Sequence, residues 1–218
     1  MENALREKLI SLSDSKYAEF SKKLVTTKYE LLGVRVPTLR KLSLGLAEFE
    51  ISERSSFEEI FLYGLNIAKL KNSKLVIEKL NYYLNFVDNW SICDMVASSL
   101  KIVKKNKEEF FAFCTTLLKS GETYRMRMAI VIFLTYFRES KEMERVYSLF
   151  PIQNNDYYFL MAVAWLNATY LIFNEELVLK NLSLSKFNKF VINKSISKAR
   201  ESYRIGKETK ELLKGYRV

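Results

Sequence analysis

The chain has 218 residues, a net charge of +10, no histidine and two cysteines. Without histidine there is no Ser-His-Asp or Cys-His catalysis and no His-ligated zinc, and two thiols are too few for an all-cysteine zinc site or a disulfide framework. Six Gly and two Pro are too few turn formers for an all-β fold, and the charge fits either an acidic partner (nucleic acid, a membrane surface or an acidic protein) or a merely basic soluble protein.

The N-terminal MENALREKLI is charged throughout, and no signal peptide is expected. Helical runs follow at 3–12 and 15–25, and Pro37 suits the first turn of a helix over 37–49. In 57–70 the period places Phe57, Ile60, Phe61, Leu65 and Ala68 on one face. Ser55 and Ser56, with Glu58 and Glu59 three residues on, predict two overlapping capping boxes before it. A run over 74–86 precedes one over 90–104, which opens on DNWSICDMV. Trp90 and Asp94 are four positions apart there, so they share a helix face. The residues leave two roles for Asp94: half of a Ser91–Asp94 capping box, or a negative charge beside an aromatic wall.

The run 107–119 is closed by Gly121, a C-terminal stop. In 123–138 Arg127 begins a stripe with Ile130, Val131 and Leu134, as a structural partner for Asp94 or snorkelling to the surface. Runs at 141–149 and 156–173 follow, the second containing AVAWLNATYL and the only other tryptophan, Trp165. Both tryptophans also read as ordinary core aromatics, and Cys93 as a small packed hydrophobe. The last runs are 175–181 and 186–213. Between Lys186 and Val218 stand ten Lys/Arg against three Glu, so +7 of the charge lies at this end.

No strand alternation appears, and no apolar run approaches a membrane span, so a soluble, cytoplasmic protein is expected. Neither G-x-x-x-x-G-K-[ST] nor G-x-G-x-x-G occurs, and any catalysis rests on carboxylates, Lys, Tyr, Ser/Thr or Arg. Helical pairs starting near 57, 90 and 123 recur at roughly 33–35 residues, near the period of helical solenoids. The expected architecture is all-α: antiparallel HEAT-like helical pairs stacked into a curved solenoid with a concave face, one domain over 1–218. An irregular helical bundle is the alternative.

Four segments in order resemble the AlkD family of HEAT-like-repeat DNA glycosylases, which act in DNA alkylation repair. LLGVRVPTLRKL (31–42) is similar to its G-[VI]-R-x-P-x-L-R signature, and NWSICD (89–94) to its Trp-x-x-x-Asp segment. YRMRMAIV (124–131) and AVAWLNATY (162–170) match its arginine-bearing and second tryptophan segments, and NKSISKARESYRI (193–205) is similar to the C-terminal helix of short relatives. The resemblance implies that Asp94 is the catalytic carboxylate and that Trp90 and Trp165 flank the damaged nucleotide. It makes Arg127 the phosphate-facing arginine. Arg125, Lys194, Lys198 and Arg204 are the further basic residues assigned to DNA. Met161 and Ala168 depart from the family pattern, which often has a basic residue at the first position and an arginine at the second. The departures weaken the expected grip of that helix on DNA.

The implied reaction suits these residue types. An N3- or N7-alkylated purine is cationic and leaves readily, so little general acid is needed. The sugar develops oxocarbenium-like charge, which a fixed carboxylate stabilises and aromatic faces attract. Double-stranded DNA, preferably alkylated, is the expected partner; no cofactor, no metal and a monomeric state are expected. Two other readings stand beside this one: a non-catalytic DNA-binding protein on the same scaffold, and a protein-interaction scaffold with an acidic partner.

Overall fold

Helical period in the sequence becomes helix almost throughout. In a computed structural model, which describes residues 2–184 and 186–218, there are thirteen α-helices and no strand among the described residues. They fall into two compact units that divide after Asn106.

The first unit holds α1 (Glu2–Ser11), α2 (Ser15–Leu24), α3 (Val36–Ser43), α4 (Phe57–Ile67), α5 (Ser73–Tyr83) and α6 (Trp90–Ser99). Helix α4 is its centre: every residue from Phe57 to Leu65 is buried, and it packs on α3, α5 and α6. Gly64 permits the α6 contact, because a Cβ there would lie 2.2 Å from Val96 Cγ2. Ser56 caps α4 and forms the expected box with Glu59.

The second expected box is absent. Glu58 is 1% exposed, and its carboxylate instead accepts the backbone N–H groups of Leu32 (3.1 Å), Gly33 (2.7 Å) and Val34 (3.2 Å). Burial pushes this carboxyl up from its ordinary value, and the three donors pull it down. These three donors belong to the 31–42 motif, so that motif has a structural explanation. Gly33 has φ +86° and its carbonyl accepts from Asp14 N (3.2 Å); a Cβ would fall 2.3 Å from the Asp14 carbonyl oxygen. Arg35 pairs with Asp14 (3.0 Å) and stacks on Tyr17 (4.7 Å). Asp14 itself caps α2 by accepting from Tyr17 N (3.0 Å), and that bond, then Arg35, holds its carboxyl below the usual range.

The second unit holds α7 (Lys107–Leu118), α8 (Thr123–Tyr136), α9 (Ser140–Tyr147), α10 (Tyr157–Tyr170), α11 (Glu175–Ser183), α12 (Lys189–Glu201) and α13 (Lys207–Leu212). Gly121, with φ 75°, lies beyond the end of α7, as its position in the sequence implies. Helix α10 is the centre here and packs on α8, α11 and α12. A buried polar chain crosses it: Tyr147 Oη donates to Asn167 Oδ1 (3.0 Å), and Asn167 Nδ2 donates to Ser195 Oγ (3.1 Å). Within each unit, neighbouring helices pair (α3 with α4, α7 with α8) and alternate helices also stack (α4 with α6, α8 with α10, α10 with α12). This is the packing of a helical-repeat array.

Three of the predicted runs stop or break well inside their expected bounds. Helix α3 stops at Ser43 rather than 49; Phe49 and Ile51 still pack, Phe49 edge-on to Tyr63 at 5.9 Å, without helical backbone. The 90–104 run breaks at Leu100 and continues as a 3-10 turn over Lys101–Lys105. Ser98 and Ser99 donate to the backbone carbonyls of Asp94 and Met95 (both 2.7 Å), a local bonding pattern that competes with helix continuation. The 186–213 run is interrupted at 202–206, with Gly206 at the N-cap of α13. Both cysteines are buried thiols.

Candidate nucleic-acid interface

In the first unit the start of α6 is held by a polar knot. Asn89 is the N-cap: its Oδ1 accepts from Ser91 N (3.0 Å) and Ile92 N (3.2 Å). Asp88 accepts from Thr27 Oγ1 (2.9 Å), Lys28 N (2.7 Å) and Asn89 Nδ2 (2.7 Å), tying α6 to the segment after α2. The Ser91–Asp94 capping box is therefore corrected. Asp94 is the fifth residue of the helix and does not cap it. An Asn directly before the aromatic is itself a strong cap signal, and it was legible in DNW.

Trp90 is half-buried, and its Nε1–H donates to the Leu24 carbonyl (3.3 Å), which orients the indole. Asp94 is half-buried one turn along the same face, and exposed Ser98 lies one turn further. The core face of α6 is supplied by Ile92, Cys93, Met95, Val96 and Ala97. The helix thus keeps Trp90 and Asp94 together on its non-core side. Near its other end, Arg40, Lys69 and Lys101 line a cavity of about 560 Å³ with no carboxylate in its wall. Each lies near a helix C-terminus, where a cation meets the negative end of the dipole.

In the second unit Arg127 of α8 is 7% exposed, so it does not snorkel; its Nη1 donates to the Tyr158 carbonyl in the first turn of α10 (2.6 Å). Arg125 pairs with Glu122 (3.0 Å). On α10, Trp165 is 37% exposed while its neighbours Ala162–Ala164 and 166–170 are all buried. The reading of Trp165 as a core aromatic is thereby overturned. Met161 is half-buried and Ala168 is buried, so neither family position carries a cation.

Lys194 is exposed, with Nζ 5.8 Å from the Phe190 ring, and half-buried Lys198 lies one turn on, opposite the buried face Val191, Ile192, Ser195, Ile196 and Ala199. Arg204 stands over the Phe173 ring at 5.5 Å, and Arg138 over the same ring at 5.1 Å. The sequence offers no signal for Arg138, because its aromatic partner is remote in the chain. Among the described residues no group of three or more acidic or thiol side chains could hold a metal ion. No described helix is long and apolar enough to cross a membrane.

Chemically, the first unit presents a carboxylate beside an oriented indole. The second presents an exposed indole and arginines stacked on an aromatic ring. A search of curated proteins finds no match. A protein-family model described as DNA alkylation repair enzyme matches residues 5–186, a stretch that takes in Trp90, Asp94, Arg127 and Trp165 and stops short of Lys194, Lys198 and Arg204. With that match over most of its length, the chain belongs to the DNA alkylation repair enzyme family.

Proposed function

We propose that the protein is a DNA glycosylase that hydrolyses the N-glycosidic bond of cationic N3- and N7-alkylated purines in duplex DNA. The observation that carries this reading is the non-core face of α6. Asn89 takes over capping, which leaves Asp94 without a cap role, one turn from an indole whose orientation is held by Leu24. In this reading the C1′–N bond breaks with its electron pair going to the base, which leaves neutral. Asp94 stabilises the positive sugar and orients the water that adds to C1′; the water's surplus proton passes to solvent. Trp90 and Trp165 supply aromatic faces to the cationic nucleotide. The resemblance gives Arg127 the phosphate-facing role; at 7% exposure its guanidinium chiefly anchors the first turn of α10 through Tyr158, and Arg125, Lys194, Lys198 and Arg204 carry the surface contact. The protein acts as a monomer.

The purified protein should release 7-methylguanine or 3-methyladenine from alkylated duplex DNA, read by chromatography of the free base. The missing cations at Met161 and Ala168 favour a second reading, a DNA-binding protein without catalysis. Duplex binding with no released base supports that one and sinks the first.

Duplex binding should be sequence-independent and electrostatic. The +7 segment at 186–218 motivates this. A protein making six to ten phosphate contacts loses about 10³–10⁵ in affinity between 50 and 200 mM salt. Fluorescence anisotropy across that range is the measurement; a salt-insensitive complex, or none at low salt, points instead to a protein-interaction scaffold.

A further inference from the structure

Between Ala162 and Phe173 only two residues are exposed, and both are aromatic: Trp165 at 37% and Phe173 at 40%. Phe173 closes the turn after α10, eight residues beyond Trp165 in the chain. Two guanidinium groups stand over its ring, Arg138 at 5.1 Å and Arg204 at 5.5 Å. They come from separate elements, Arg138 after α8 and Arg204 after α12. The Nε of Arg138 donates to the Leu134 carbonyl (2.8 Å), which fixes the plane of its fork. Among the described residues neither arginine forms an ion pair. Burial, and next the charge of Arg204, push the Arg138 guanidinium down from its ordinary value. Two like charges are thus held near one ring, each without a carboxylate partner among the described residues. Surface arginines that merely cover an aromatic ring gain little from such crowding, whereas a shared anion relieves it.

We propose that Arg138 and Arg204, held against Phe173, form a binding site for a backbone phosphate of duplex DNA, supplying just past the end of α10 the positive charge that the helix itself lacks at Met161 and Ala168. A phosphodiester suits the geometry. Its two unesterified oxygens match guanidinium forks, and its flanking sugars suit the exposed ring edge. The inference rests on the DNA reading above. It assigns Arg138, which lies in no segment singled out by charge or motif.

The test is Arg204→Glu, with Arg204→Ala beside it, read by duplex affinity, by its salt dependence and by melting temperature. Exposed Arg204 makes no side-chain hydrogen bond among the described residues, so both variants should fold. The glutamate can pair with Arg138, so the melting temperature should hold or rise. Duplex affinity should fall about tenfold or more, as loss of a charged hydrogen-bond partner commonly does, and the salt slope should shrink by about one. A lowered melting temperature with an unchanged salt slope would mean a stacking role only and overturn the proposal. If the wild type binds no duplex at low salt, the DNA reading falls as well. In that case inorganic phosphate raising the melting temperature of wild type but not of Arg204→Glu would identify a free-phosphate site, and overturn the backbone assignment.

Discussion

Asp94→Asn should abolish detectable base release while leaving duplex binding nearly intact. The substitution keeps size and hydrogen-bonding capacity and deletes only the charge that would face the oxocarbenium. Losing one preorganised electrostatic contact commonly costs about 10²–10³ in rate. No stability should be lost through the helix cap, for a reason found in the fold: α6 is capped by Asn89, and Asp94 sits inside the helix, half-buried. Single-turnover release of 7-methylguanine by both proteins, with melting curves in parallel, is the measurement. Equal rates would remove Asp94 from the mechanism. A large loss of stability would make it a structural residue first.

Glu58→Ala should strongly destabilise the first unit. It strands three backbone N–H groups at Leu32, Gly33 and Val34, two of whose bonds are buried. An unsatisfied buried donor costs about 1–3 kcal/mol, so the two buried groups at Gly33 and Val34 alone should cost about 2–6 kcal/mol. That is a large part of the roughly 5–15 kcal/mol that holds a typical domain together. Glu58→Gln should cost about half as much, because Oε1 alone serves Gly33 and Val34 and an amide oxygen can remain there. The amide nitrogen would then face the Leu32 N–H. Denaturant unfolding of the three proteins checks the order. An alanine variant within about 1 kcal/mol of wild type would show that water or a rearranged loop satisfies the three groups.

Much of the fold was legible because helices are specified locally. The 3.6-residue period in 57–70, the Ser56–Glu59 box and the Gly121 stop each depend on residues within a turn or two of one another. Trp90 and Asp94 share a face by spacing alone. The overlong expectations at 37–49, 90–104 and 186–213 failed where period continues but backbone geometry does not. Residues such as Ile51 and Ile205 bury themselves without being helical.

What the chain determined by itself was therefore the all-helical class, most helix positions, the exclusion of histidine and thiolate-metal chemistry, and the family to which its ordered motifs belong. What only the tertiary structure decided was the partner of each polar group. Nothing in the sequence distinguishes Glu58, which leaves its helix cap to hold a loop 24–26 residues away, from Glu59, which stays. Nor does spacing separate Trp165, left exposed, from the buried residues on either side of it, or bring Arg138 and Arg204 to one ring. The physical reason is common to all three. Period reports which side of a helix is apolar, but a hydrogen bond or a stacked charge is chosen by whatever the packing of other helices brings within about 3–6 Å.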